Sequence, residues 1–225
     1  HHLRTGYRYG LEGEEVLQIG GGTHAAVPDS TYSAFDTGAR EVTVAAPGAF
    51  AIEDAIVVVE SPGTYGQLVT AGKITNIVGN VLTLDVLSGD QASMSASPAS
   101  GVVYTLDQVA IAFGTLSTST ANVRIFTFEV VSTAPLGYDM FVQGVTPLQN
   151  ASLQALATVT DGTVSLGSEE YGARVTGTFA VGAGSDIGVT TTPRLVQQSS
   201  GPSLLPGDRT SLIFKTAITE STNPG

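Results

Sequence analysis

Few side chains in this sequence have the types and spacing that chemistry needs. Acidic pairs stand at Glu14-Glu15, Glu53-Asp54 and Glu169-Glu170. Paired carboxylates can serve glycoside hydrolysis or hold Ca²⁺. Neighbours on a strand point to opposite faces, though, so these pairs do not converge by themselves. No Asp-x-Asp-x-Asp-Gly loop is present, and there is no tryptophan to stack on a sugar ring. They read as solvated turns, with a weak Ca²⁺ site at one of them as the sharper alternative. His24 is the only internal histidine. A triad or a histidine-rich metal site needs convergent partners, so His24 reads as an ordinary surface or interface residue. Gly20, Gly21 and Gly22 lack the Lys-Ser/Thr of a phosphate loop and are expected to form a hinge. Asn150-Ala151-Ser152 is an N-glycosylation acceptor pattern. Lys73 and Lys215 are the only lysines, and either could form an isopeptide crosslink with a buried Asn or Asp. No catalytic constellation emerges. The chain reads as a non-enzyme that needs no cofactor and no metal.

The elements that carry these residues are strands. Residues 124–143 hold two alternating runs around a Ser-Thr-Ala-Pro-Leu-Gly turn. Phe126, Phe128 and Val130 fall on one face, and Tyr138, Met140 and Val142 share a face after the turn. Period-2 alternation broken by Pro135 and Gly137 predicts a β-hairpin. Upstream, residues 41–86 read as a small meander or barrel-like module. Within it, the β-branched run 55–59 predicts a strand buried on both faces, and Gly79-Asn80 predicts a tight hairpin. Residues 88–101 hold almost no large apolar groups and predict a linker. Leu212, Phe214 and Ile218 mark the last alternating run. The expectation is an all-β protein: an antiparallel, jelly-roll-like sandwich over 102–225, a small β module over 31–87, a linker over 88–101 and an N-terminal extension over 1–30.

Composition bounds the partners. Of 225 residues, 42% are hydrophobic, enough for a sizeable core, and only 13% are charged. A net charge of −11 supplies no basic footprint for nucleic acid and disfavours anionic membranes. No run of 18 apolar residues exists, so membrane insertion is not expected. The absence of cysteine removes disulfides and thiolate chemistry. Polar, uncharged surfaces suit secreted β proteins and subunits that bury much of themselves against neighbours.

The run from Phe126 to Tyr138, Phe-Thr-Phe-Glu-Val-Val-Ser-Thr-Ala-Pro-Leu-Gly-Tyr, resembles a pattern in secreted β-sandwich surface proteins of candidate-phyla and other poorly cultured bacteria. Glu169-Glu170-Tyr171-Gly172, the run from Thr210 to Ile218 and Pro224-Gly225 extend the resemblance over residues 106–225. A looser likeness is to TasA-like biofilm fibre proteins and archaeal filaments. In the surface proteins one more strand follows the Pro-Gly turn, and here the sequence stops there. The resemblance therefore implies a sandwich lacking a strand, with Val16, Leu17 and Ile19 as a donor strand for the next subunit. Phe126, Phe128, Val130, Tyr138, Met140, Val142, Leu212 and Phe214 would form the accepting core. Three or four inserted apolar side chains would contribute roughly 5–10 kcal/mol. Such a head-to-tail contact gives a homopolymer of identical subunits, an extracellular pilus-like filament. Surface glycans or other cells are further expected partners. A monomeric adhesin or S-layer component, or a phage decoration or tail protein, are the alternatives.

Overall fold

The computed structural model describes residues 17–149 and 155–220, and there the chain is all-β. In chain order the strands are β1 (Leu17–Thr23), β2 (Ser30–Asp36), β3 (Glu41–Val44), β4 (Ala55–Glu60), β5 (Leu68–Val78), β6 (Val81–Leu84), β7 (Ser88–Gly89) and β8 (Gly101–Thr105). They continue with β9 (Asn122–Ser132), β10 (Tyr138–Val142), β11 (Ala157–Thr158), β12 (Glu170–Gly177), β13 (Asp186–Ile187), β14 (Arg194–Ser199) and β15 (Ser203–Ala217). No helix among the described residues is long and apolar enough to cross a membrane.

The first module is a closed antiparallel barrel in the order β4-β8-β2-β3-β6-β5, with β5 returning to β4 and β7 hanging on β5. Closure follows from the sequence pattern. Val42 and Val44 on β3, and Leu82 and Leu84 on β6, send alternate side chains inward to meet Tyr32, Phe35, Ile56, Val58 and Ile74. Gly79, at φ +58°, makes the tight turn between β5 and β6, where Val78 faces Val81. The continuous apolar run on β4 is buried on both sides. Ile56 and Val58 point into the barrel, while Val57 and Val59 point out against a second module.

That second module is a sheet ordered β1-β9-β15-β12-β11, with β13 on β12, overlaid by the two-stranded sheet β10-β14. The result is three layers. Val123 and Ile125 of β9 and Ile213 of β15 pack on the outer wall of the barrel, against Val57, Val59, Val69, Ala71 and Val102. Phe128, Val130, Val175 and Leu212 face the other way, toward Tyr138, Met140, Val142 and Val196 of the outer pair.

Several expectations are corrected. The hairpin over 124–143 does not form: β9 pairs with β1 and β15, and β10 pairs with β14. The intervening turn is an arch between layers. Gly137, at φ +79°, lies so close to Ser199 that a Cβ would stand 1.8 Å from its carbonyl oxygen. Alternation reports which side chains face inward, and two strands facing each other across a core alternate as hairpin partners do. The predicted linker is a packed joint. Ser88 Oγ lies 2.9 Å from Thr178 Oγ1, Asp90 pairs with Arg174, and Met94 enters the barrel core. The barrel also closes only with β8, beyond the expected boundary. Finally, β15 is not left beside an empty position: β9 and β12 flank it on both sides.

Candidate functional site

The N-terminal strand β1 lies antiparallel along the outer edge of β9, from Leu17 opposite Ser132 to Thr23 opposite Phe126. It is therefore not an orphan; its partner is in its own chain. Its two ends are held very differently. Leu17 is 46% exposed and Ile19 packs only partly on the cluster around Phe128 and Val130. At the other end Thr23 is buried, donates its hydroxyl to the Ile125 carbonyl at 2.6 Å, and exchanges backbone hydrogen bonds with Gln108. His24 follows, also buried. Its Nε2 accepts the Ile125 N–H at 3.2 Å and its Nδ1 donates to the Ala25 carbonyl at 2.6 Å. The ring lies 4.1 Å from that of Tyr104. Burial holds its pKa below the ordinary histidine value, and Arg124 adds to this. The Ala25 hydrogen bond and Asp29 oppose it. His24 is thus a neutral clamp on β9, not a surface residue.

The glycine triplet is part of the strand, not a hinge. A Cβ on Gly21 would stand 2.9 Å from the Phe126 ring, and one on Gly22 only 2.3 Å from the Leu106 carbonyl oxygen. These glycines let β1 pass closely between the aromatic face of β9 and the segment leaving β8. They also line a groove of about 260 Å³ with Gly72, Lys73 and Arg209.

The charges around this groove are paired. Arg209 is buried and donates to both carboxylate oxygens of Asp85 at 2.6 Å, and to Glu129 on the neighbouring strand. Burial alone would raise the Asp85 pKa. Hydrogen bonds from Arg209 and from the backbone N–H groups of Lys73 and Val86 outweigh it and hold the carboxyl below its usual range. Asp90 behaves in the same way, with Arg174, the Val69 N–H and Thr176 as its donors. Lys73 pairs with Glu53. The Arg209 and Arg174 pairs are structural joints between barrel and sheet, while Lys73 and Glu53 both belong to the barrel.

The other expected sites separate widely. Val16, Glu14-Glu15, Asn150 and Pro224-Gly225 lie outside the described residues. Asp54 caps the Ala51 N–H, and Glu170 takes bonds from Ser165 and Ser168. No group of three His, Asp or Glu side chains among the described residues is placed to share a metal ion. The eight residues expected as accepting core do gather in one cluster, joined by Ile19. Sequence reasoning missed Arg209, Arg174 and Asp90. The available signal for Arg209 was a cation on the same face as Lys215 in a strand otherwise made of small, hydroxyl and apolar residues, Arg209-x-Ser211-x-Ile213-x-Lys215.

A scan against protein-family models found no match for this chain, and searches of curated proteins and of solved structures found none either. The site offers backbone pairing: a short, uncharged strand laid in continuous register along a sheet edge.

Proposed function

We propose that this chain is a structural subunit of an extracellular surface filament, joined head-to-tail by exchange of β1 between neighbouring copies. The observation that carries this reading is β1 itself. It is an edge strand before the barrel, it occupies the β9 edge, and it brings only one partly buried apolar side chain to the sandwich core. An exchanged β1 would remake every bond it leaves, so exchange changes the interface free energy little. Residues 24–29 connect β1 to β2 and span at most about 20 Å when extended. The receiving β9 must then lie against the donor's barrel, which suits a tightly stacked fibre. Closure within one chain competes through its high effective concentration, so exchange requires high subunit concentration or a loosened His24 clamp. That same closed β1 favours a second reading, a monomeric cell-surface module.

The cysteine-free chain makes the test clean. Gln18 and Val131 are register partners, and neither is buried. Directly opposite residues bring their Cβ atoms to about 4.5–5.5 Å, close to disulfide reach. Gln18→Cys and Val131→Cys are made as separate chains, concentrated together and oxidised. A mixed disulfide dimer, with filaments by negative-stain microscopy that vanish on deleting residues 1–22, is the expected result. If the mixed chains stay monomeric while the double variant closes within one chain, exchange is refuted and the monomeric reading stands.

A further inference from the structure

Lys215 and Asp186 form the ion pair most completely withdrawn from water among the described residues, with side chains 6% and 3% exposed and Nζ 2.7 Å from Oδ1. Lys215 sits on the barrel-facing side of β15, in register with Val123 on one side and Gly172 on the other. Gly172 leaves no side chain in the way. A Cβ there would stand 2.5 Å from a Val159 methyl group. The lysine therefore reaches across β12 to Asp186 on β13. The carboxylate is fixed from the far side: the Val164 N–H donates to Oδ2 at 2.8 Å, and the Asp186 N–H donates to the Gly162 carbonyl at 2.8 Å. Asp186 Oδ1 has no hydrogen-bond partner beyond this ammonium contact. Val159, Val164 and Ala217 form an apolar cluster beside the pair.

We propose that Lys215 and Asp186 condense into an intramolecular isopeptide bond. Two opposite charges held this far from water lose most of their solvation. Passing one proton from the ammonium to Oδ1 leaves a neutral amine against a neutral carboxylic acid, the reactive form of both. The Nζ lone pair then attacks Cγ. The Val164 N–H, already on Oδ2, receives the negative charge that develops there, as an oxyanion donor does. Nζ gives up a proton, Oδ1 takes it, and the Cγ–Oδ1 bond breaks. One amide bond forms, one water leaves, and nothing is oxidised or reduced. Holding the two groups in contact supplies the high effective molarity that amide formation in water lacks. The product ties the long central strand β15 to β13 across β12, a covalent staple in a chain that has no disulfide.

The inference is independent of filament assembly, and its first reading needs no variant. The intact full-length chain, unfolded and weighed by mass spectrometry, is expected to be lighter than its sequence by one water. Tryptic digestion should leave Lys215 uncleaved and joined to the peptide containing Asp186. Lys215→Met restores the full mass. Asp186→Asn reaches the same product as the wild type by losing ammonia instead of water. A wild-type chain at full sequence mass, or a water loss confined to a single peptide without Lys215, overturns the proposal and leaves an ion pair.

Discussion

Arg209→Met removes a guanidinium that is 5% exposed and that joins Asp85 of the barrel to Glu129 of the sheet. Met keeps much of the length and apolar stem, so the change isolates the charge. Removing one partner of a buried pair costs about 3–5 kcal/mol, mainly because the other is left buried and unpaired. Two features here lower that figure. Glu129 is 33% exposed and can turn to water, and Asp85 keeps hydrogen bonds from the Lys73 and Val86 N–H groups. We therefore expect a loss of about 2–4 kcal/mol. In a chain of this size each kcal/mol moves Tm by about 2–4 °C, so Tm should fall by roughly 5–15 °C. The assay is thermal and urea unfolding, run as a double-mutant cycle with Asp85→Asn. Once Asp85 is neutral, losing Arg209 should hurt less, with a coupling of at least about 1 kcal/mol. A single variant within about 0.5 kcal/mol of the wild type, or a strictly additive cycle, would refute the view that this arginine joins the modules.

Three further outcomes follow from the geometry. Gly22→Ala places a methyl group against the Leu106 carbonyl, so β1 should lift from β9, seen as faster amide exchange at Thr23 and Ile125 while the barrel amides stay protected. Asp85 and Asp90 titrate below the usual carboxylate range in the folded chain. Their stabilisation is therefore complete above about pH 4 and is lost as pH falls through the lower folded values; Arg174→Met should flatten the acid limb of an unfolding series. His24 likewise has a folded pKa below its ordinary value, so its contribution is full above about pH 6.5 and shrinks as acid protonates it. His24→Phe keeps a ring against Tyr104, should cost about 1–3 kcal/mol through the unpaired Ile125 N–H, and should abolish the pH dependence of amide exchange near β1.

The sequence displayed inward faces well and partners poorly. Alternation on β9, β10 and β15 sorted Phe128, Val130, Met140 and Leu212 into one core because a strand's period is a local property. Gly79-Asn80 showed its hairpin for the same reason. Pairing was less visible. The β9 strand meets β1 about a hundred residues earlier and β15 about eighty later, and nothing local marks such partners. The joint at 88–101 was hidden because its work is done by small and polar residues. The Ser88 and Asp90 side chains find partners on β12, β15 and the turn after β12, far along the chain. His24 was misplaced because a histidine's burial depends on what the fold brings over it, here Tyr104 and β9.

Among the strand edges, β1 is the one best suited to the proposed exchange. A strand edge invites pairing with another chain unless something blunts it. Most peripheral strands here are blunted. β7, β11 and β13 are two residues long. The edge of β14 is covered by residues 179–181, whose backbone bonds to Val196 and Gln198. The β10–β14 pair breaks register between Met140 and Phe141, and β10 carries exposed Asp139. β1 is less protected: it is seven residues long, uncharged and in continuous register with β9, and Gln108 covers its outer edge at the Thr23 end. Close packing accounts for Gly21 and Gly22 but not for Gly20, where a side chain would meet nothing within 4 Å. The exposed Leu17 end of this uncharged strand is where the proposed exchange would begin, and the Thr23–His24 end is where closure within one chain resists it.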